Sequence, residues 1–332
     1  MNENSVVVTS RIRLARNIEN MAFTPNSDPK KCEDLIGRVN ECVGMLGRFK
    51  VYKMGSLSEQ DAAVMFGKHL ISKELLKNKT SGAVLVNDDE TISVMVNEED
   101  HIRAQCILKG MNLETAYSRI NEIDDEIESK LKIAYDPTFG YLTSCVTNVG
   151  TGIRASVMLF LPALTLSGEI DNIVFAVKQK GLTVRGELGE GSFPLGYLYQ
   201  LSNGISMGLS ERETISLVNS ATEKIVELEL EARQKLLKEN PDFIVDMSWR
   251  AYGVLSNCYT IDFIEFLKLA VELKLGMCLG LITLNDPELV DKLIIICSDS
   301  GIIKLSGKML SGEEISRLRA DYLRKALKRA KV

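Results

Sequence analysis

Residues Val6–Asn17 read VVVTSRIRLARN, an unusual text for an ordinary strand. Val6, Val7 and Val8 are strong strand formers. Yet Arg11, Arg13 and Arg16 follow within the same run. In an extended chain, alternate side chains share a face. Val7, Thr9, Arg11 and Arg13 then point one way, and Val6, Val8, Ser10, Ile12 and Leu14 the other. The second face reads as core. The first carries two guanidiniums roughly 7 Å apart, the advance of two strand residues. Two fixed positive charges at that spacing fit neighbouring phosphates.

The rest of the chain sets the context for that strand. With 332 residues, 45% hydrophobic and 26% charged, it can bury a sizeable core in one large domain plus a smaller one, or in two of moderate size. Forty Lys and Arg stand against forty-five Asp and Glu, a net charge of −5, which argues against a general nucleic-acid binder. An anion site must therefore be a local arginine cluster. The seven cysteines are scattered and form no C-x-x-C pair, so neither a disulfide framework nor a zinc site is indicated. No secretory leader and no apolar run of membrane-spanning length is legible, and the expected location is cytoplasmic.

KKCEDLIGRVNECVGML reads as an amphipathic helix, and SGAVLVNDDETISVMVNEEDH as a hairpin around the NDDE turn. AQCILKGMNLETAYSRINEIDDEIESKL runs on into a charged helix. GYLTSCVTNVGTGIRASVMLFLPAL reads as a Gly/Asn turn and then an apolar helix, which puts Arg154 near a helix start. NIVFAVKQKGLTVRGELGEGS reads as a second hairpin with KQKG as its turn. Strands and helices mix without a regular β-α-β rhythm, so the expected class is α+β with a largely antiparallel sheet flanked by helices. Ser210 and Glu213 form a capping box that opens a long helix ending at Asn240-Pro241. Beyond it the text is mostly helical, to a last basic helix opened by Ser311-x-x-Glu314. Residues 1–238 and 239–332 are the expected domains.

Three constellations could carry chemistry. VNEEDHIR holds Glu98, Glu99, His101 and Arg103. If the arm stays extended, Glu98 and Glu99 face opposite sides, so at most one joins a given site; alone, such an acidic run is a solvated strand end. TSCVTNVGTGIRAS puts Cys145 before a turn whose backbone N–H groups favour a thiolate or a bound anion; a buried structural cysteine is the bland alternative. TVRGELGEGS puts Arg185 at a strand end before Gly186, Gly189 and Gly191, a loop that can approach phosphate closely, or serve as a lid, or be only a loop. Together the chain offers Arg11, Arg13, Arg103, Arg154 and Arg185 beside apolar runs, and no Walker-type GKS. That combination suggests a triphosphate held by guanidinium forks.

The ordered set TSRIRLAR, KHLIS, VNEEDHIR, TSCVTNVGTGIRAS and VRGELGEG resembles the phosphagen kinase family, the ATP:guanidino kinases. It is most similar to the bacterial branch that phosphorylates arginine residues in proteins (McsB-type). The resemblance implies a phosphagen kinase catalytic domain followed by a helical domain for dimerisation and phosphoarginine sensing. It implies ATP and Mg2+, with Glu99, Cys145 and Glu190 as catalytic residues. The nucleotide positions it implies are Ser10, Arg11, Ile12, Arg13, His69, Arg103, Arg154, Ala155, Ser156, Val157, Met158, Arg185, Gly186, Glu187, Leu188 and Gly189. As partners it implies arginine-bearing protein substrates, a zinc-binding activator (McsA-type), a Clp ATPase/protease and a second copy of the chain, with a link to the heat-shock response.

Three positions depart from the family's pattern. Val146 stands where Cys-Pro-Thr-Asn has proline. SFPLGY follows the Gly-rich loop in place of SEALGN. The phosphoarginine motif Arg-Asp-x-x-Arg-Ala is reduced to Asp321 and Arg324, with Ala320 and Lys325 altering its ends. The expected activity is ATP-dependent phosphorylation of protein arginine. The rival expectations are a weak or inactive nucleotide-binding adaptor, and a kinase of a small guanidino compound.

Overall fold

A computed structural model describes residues 5–24, 28–186, 195–308 and 310–329. Its strands are β1 (Val7–Arg16), β2 (Phe49–Lys53), β3 (Ala83–Asn87), β4 (Ile92–Val96), β5 (Ile102–Lys109), β6 (Tyr135–Asp136), β7 (Gly140–Tyr141), β8 (Ile153–Phe160), β9 (Leu182–Gly186) and β10 (Leu198–Asn203). Its helices are α1 (Pro29–Gly44), α2 (Glu59–Gly67), α3 (Lys73–Lys77), α4 (Leu113–Lys130), α5 (Pro162–Leu166), α6 (Ile170–Lys178), α7 (Glu211–Glu239), α8 (Pro241–Asn257), α9 (Phe263–Cys278), α10 (Leu289–Ile296), α11 (Asp299–Ser306) and α12 (Gly312–Arg329). Eight strands form one sheet in the order β2-β3-β4-β5-β1-β8-β10-β9, every neighbouring pair antiparallel. The fold is α+β, as its text implies. β6 and β7 form a separate small hairpin.

The arginine-rich strand lies inside this sheet, between β5 and β8. Ile12 pairs with Cys106 and Ala155, and Leu14 with Ala104 and Ile153. These side chains form the main core beneath Leu35 and Val39 of α1, Ile120 and Ile127 of α4, and Ile215 and Val218 of α7. Local signals start these helices: Asp28 caps the amide of Lys30 with Pro29 at the first turn, and Ser210 and Glu213 close a reciprocal box.

Arg16 points to the core side, with Ile12 and Leu14. It is 1% exposed and meets Asp124 at 2.5 Å, Glu211 at 3.5 Å and Glu128 at 3.6 Å, with its guanidinium 3.5 Å from the centre of the Tyr141 ring. Charge of opposite sign surrounds it, and its pKa is raised in spite of burial. It joins the end of β1 to α4 and α7.

Among the described residues the opposite sheet face is roofed at its ends. At one end Met65, Leu70 and Leu75 of the α2–α3 segment cover Val84, Val86 and Met95. At the other, Leu267, Val271 and Leu275 of α9 cover Phe160. Between them lies a polar trough. Helices α8 to α12 enclose a second apolar cluster that includes Leu255, Phe266, Leu273, Leu293 and Leu323. Helix α7 ends at Glu239, and Pro241 opens α8. No helix among the described residues is long and apolar enough to cross a membrane.

Two segments differ from their expected form. Residues 172–178, read as a hairpin arm, belong to helix α6, where Ile173 and Val177 are buried four residues apart. Residues 153–160, read as an apolar helix, form β8, whose Ile153, Ala155, Val157 and Leu159 enter the core at period two. A continuous apolar run looks alike in a buried helix and in a strand covered on both faces.

A second buried ion pair fixes the long helix. Glu229 and Arg233 are fully buried and meet at 2.7 Å. Glu229 accepts from the amides of Ala163 and Leu164 at the start of α5, and Arg233 donates to Ser5 Oγ at 2.8 Å and to the Phe160 carbonyl at 3.3 Å. Arg233→Ala leaves a buried carboxylate without its cation. It is expected to destabilise the fold by about 3–5 kcal/mol, read from denaturant unfolding.

Candidate active site

The register of the sheet lays the trough out as rows. Lys109, Thr9, Met158, Gln200 and Arg185 form one row, and Ile107, Arg11, Ser156, Ser202 and Thr183 the next. Ser93, Gln105, Arg13 and Arg154 form the third, and Met95, Arg103 and Ala15 the fourth. Residues opposite one another in a ladder share a face. Arg11, Arg13, Arg103, Arg154 and Arg185, spread over 175 positions of sequence, therefore stand on one surface. Arg154 belongs to a strand and not to a helix start, and that is what brings it beside Arg13.

Their charges act on each other. Burial, then Arg103 and Arg154, push Arg11 down to about 10. Burial, then Arg103, Arg11 and Arg154, hold Arg13 well below the usual guanidinium range. Neither side chain makes a hydrogen bond or ion pair with another described residue. Arg154 donates to Ser202 Oγ at 3.1 Å. A cluster of forks facing one way, with mutual repulsion, suits an anion with many oxygens.

His69 has a left-handed backbone, φ 59°, and its carbonyl accepts from Gln105 Nε2 at 2.6 Å. That bond hangs the α2–α3 segment over the third row. Burial and the nearby Arg11 lower the His69 pKa, which favours a neutral ring.

At the Arg103 end the chain leaves β4 at Val96 and turns through Asn97, φ 58°, so the acidic run is a bend and not an extended arm. The two glutamates separate there. The buried Glu98 pairs with Arg103 and accepts from Ser72 Oγ and from the Glu99 amide at 2.8 Å. Burial opposes ionisation, but Arg103 and those donors hold its pKa below the ordinary value. Glu99 is half-buried, and its carboxylate makes no hydrogen bond or ion pair with a described residue. Burial, then Asp100 and Glu98, raise its pKa.

Ser144 stitches the cysteine loop to this bend. Its hydroxyl donates to the Glu99 carbonyl at 2.9 Å, and its amide to Asp100 Oδ1 at 2.7 Å. Asp100 also accepts from Asn17 Nδ2 at 2.6 Å, which ties both segments to the end of β1. Cys145, next in sequence, is half-buried, with Sγ 3.1 Å from Thr147 Oγ1. The segments that carry Glu99 and Cys145, 46 positions apart, are thus joined at one end of the arginine trough. His101 is wholly buried; its Nδ1 accepts from the Ile18 amide at 3.0 Å and its Nε2 faces the Ala22 carbonyl at 3.0 Å. It holds the loop after β1.

Among the other positions singled out, Ser156 and Met158 share the trough face. Ser10, Ile12, Ala155 and Val157 point to the opposite face; Ser10 Oγ donates to the Gly110 carbonyl at 2.7 Å and the other three lie in the main core. Gly186 ends β9. Glu187, Leu188, Gly189 and Glu190 lie outside the described residues. Gln105, Gln200, Ser93, Ser202 and Thr183 line the trough without having been singled out. Only strand register, absent from any local motif, places them there. In α12, Asp321 is held by Lys325 at 2.6 Å and Arg324 at 3.3 Å, Arg324 also donates to the Cys258 carbonyl, and Ala320 is wholly buried.

Residues 32–232 match the ATP:guanido phosphotransferase C-terminal catalytic domain. The chain belongs to that family. Residues 241–332 match the protein-arginine kinase McsB C-terminal domain. The protein-arginine kinase of Halothermothrix orenii is 41% identical over 327 residues, which cover 98% of this chain and 94% of the relative. That of Geobacillus stearothermophilus is 39% identical over 328 residues, 97% of this chain and 90% of the relative. Among solved structures, lombricine kinase aligns with a TM-score of 0.61 at 24% identity, over 70% of this chain and 68% of that one. The duplicated taurocyamine kinase of Schistosoma mansoni aligns with a TM-score of 0.64 at 24% identity, over 88% and 40%. These two share the fold. The chain is a phosphotransferase of the guanidino-kinase type.

In this phosphotransferase Arg11 and Arg13 are charged against the preference of the fold. A cation whose folded pKa is lowered destabilises the folded state in its charged form. Arg13→Gln should therefore stabilise the ligand-free enzyme, seen as a raised Tm in a thermal melt.

Proposed function

We propose that the enzyme transfers the γ-phosphoryl group of ATP to the guanidinium of arginine side chains in proteins. One observation carries the reading: a self-repelling arginine trough ends at Glu99, a carboxylate without a partner among the described residues, beside the thiol of Cys145. The trough suits a polyphosphate, and its end suits a guanidinium. This arrangement favours the two compounds the reaction joins meeting head to head. The protein acceptor is supported by the full-length relatives called protein-arginine kinases and by the matched C-terminal domain.

In this reading Arg11, Arg13, Arg103, Arg154 and Arg185 hold the phosphates, with His69 above the third row. The transferring phosphoryl lies near Arg13 and Arg103, and the nucleotide runs toward Thr9, Met158 and Gln200. A guanidinium nitrogen of the acceptor attacks the γ-phosphorus. The bond from that phosphorus to the β,γ-bridging oxygen breaks, and ADP leaves with the electron pair. A free guanidinium holds its proton up to a pKa above about 12, so the nitrogen is a weak nucleophile until a base takes that proton. Glu99 is that base, and Cys145 lines the same side of the acceptor. Glu98 positions Arg103. Catalysis is then largely alignment and fixed charge. Mg2+, which the family resemblance implies, would bind beside the phosphates held by the trough arginines. When bound it neutralises phosphate charge. Glu190 and the loop residues Gly186, Glu187, Leu188 and Gly189 complete the site by family resemblance. The same resemblance extends the reading to marking of proteins for Clp-type degradation in the heat-shock response, to a zinc-binding activator, and to a homodimer.

The deciding assay incubates the enzyme with ATP and a denatured basic protein and measures acid-labile phosphate, with free arginine as the competing acceptor. Acid-labile phosphate on the protein is expected. Transfer to free arginine alone would identify a small-guanidine kinase, and ATP binding without transfer an adaptor.

The same geometry sets the behaviour of single residues. Glu99→Gln is expected to lower kcat about 10²-fold or more with ATP affinity kept. Because its surroundings raise the Glu99 pKa and the base acts ionised, activity should fall on acidification above the ordinary glutamate value of about 4.3. The residual activity of Glu99→Gln should lack that limb. Arg11→Ala should weaken ATP binding by about 1.5–3 kcal/mol in titration calorimetry. Phosphoarginine added to the assay should change turnover less than about twofold, a free-energy effect well under 1.4 kcal/mol, since Arg324 already engages Asp321 and the Cys258 carbonyl, and Lys325 also holds Asp321.

A further inference from the structure

Three segments beside the acceptor end form one ribbon. The β6–β7 hairpin, the turn at 145–150 and the loop at 204–209 lie edge to edge. Tyr141 donates to the Gly150 carbonyl at 2.7 Å, and Thr151 to the Ser206 carbonyl at 3.1 Å. The approach is close enough to require glycine. A Cβ on Gly140, φ 81°, would lie 2.4 Å from the Gly150 carbonyl oxygen, and one on Gly150, φ 116°, 2.4 Å from the Ser206 carbonyl oxygen and 2.9 Å from Met207 Cα.

The ribbon shows an apolar surface to solvent. Val146 is 83% exposed, Ile205 61%, Tyr135 59%, Phe139 54% and Met207 46%. None of these belongs to a core cluster. Single exposed apolar residues are ordinary, but a set on backbones packed against each other marks an interaction surface. Its place narrows the occupant. Val146 directly follows Cys145, and Ser144 ties the same turn to Glu99. The carboxylate on the ribbon, Asp136, is engaged within its own hairpin turn, where it accepts from the amides of Thr138 and Phe139 at 2.8 and 3.0 Å. The surface therefore offers apolar contact and not charge.

An arginine whose guanidinium reaches Glu99 brings its own main chain over this rim. Each extended residue advances about 3.3–3.6 Å, so side chains one to three positions from the arginine fall on the ribbon. Folded proteins bury most of their large apolar side chains, and unfolded segments leave them free beside an arginine. We propose that the ribbon binds apolar side chains flanking the target arginine in an unfolded stretch of the substrate, with Val146 and Phe139 as its specificity-determining residues. The proposal rests on the protein-arginine reading above.

The test compares two disordered peptides with one arginine each, flanked by Leu and Phe in one and by Ser and Gly in the other. Phosphoarginine formation is followed for the native enzyme, Val146→Asp and Phe139→Asp, with ATP saturation and thermal melts measured in parallel. The native enzyme should favour the apolar peptide by about tenfold in kcat/KM, equivalent to about 1.4 kcal/mol. Either variant should lose most of that preference through KM for the peptide, with KM for ATP and Tm unchanged. Equal kcat/KM for the two native reactions, or a preference that survives both substitutions, would overturn the ribbon's role and leave the protein-arginine reading standing. Phosphoarginine in neither peptide, with transfer to free arginine, would overturn the protein-arginine reading and the ribbon's role together.

Discussion

Mutual repulsion among guanidiniums, held on a sheet that cannot relax, is the constraint on which this molecule turns. A free chain would spread such charges apart. Here Arg11 and Arg13 sit on a strand paired on both sides, Arg154 is held opposite Arg13, and Arg103 lies one row away. Moving any of them breaks ladder hydrogen bonds. Burial first, and the neighbouring guanidiniums after it, lower the pKa of Arg11 and Arg13. In the proposed reaction that stored repulsion is relieved when a triphosphate enters, so the same geometry that weakens the empty fold favours the bound nucleotide.

The scaffold has to be stiff to carry that load. Arg16, on the same strand but the opposite face, meets three carboxylates and an aromatic ring. It anchors the strand end to α4 and α7. Glu229 and Arg233 fix α7 to α5 and to the residues just before β1. One strand thus carries arginines of two kinds, and the face alone separates them. The same economy operates between neighbours: Glu98 is taken up by Arg103 and Ser72, and in the proposed reaction Glu99 is left for the acceptor.

Much of this is legible in the residues themselves. Alternation in VVVTSRIRLARN is enough to separate Arg11 and Arg13 from Ile12 and Leu14. The capping pair Ser210–Glu213 and the Asn240-Pro241 stop give the ends of α7. Misreadings fall where period is silent or competes. Residues 153–160 alternate, with Ile153, Ala155, Val157 and Leu159 on the core face, but the unbroken apolar end Val157–Phe160, where α9 covers Phe160, hides that period, so strand and helix look the same. In 172–178 the four-residue spacing of Ile173 and Val177 is the true signal, beside a KQKG that looks like a hairpin turn. The acidic run bends at Asn97, a left-handed position that no alternation predicts.

The sequence by itself determined the fold class, the cationic face of β1 and the ordered motifs of a guanidino kinase, because strand period, capping chemistry and residue type are local properties. Only the tertiary structure decided which residues share the trough. Long-range register sets Arg103, Arg154, Arg185, Gln105 and Gln200 across from β1, and no local pattern encodes which strand lies next to which. It also gave the two glutamates of VNEEDHIR different surroundings, since burial and the partners Arg103 and Ser72 of Glu98 come from segments that meet only in the fold. The ribbon was equally out of reach of local pattern: the segments that carry Phe139, Val146 and Met207 come together because Gly140, Gly150 and Ser206 pack backbone against backbone.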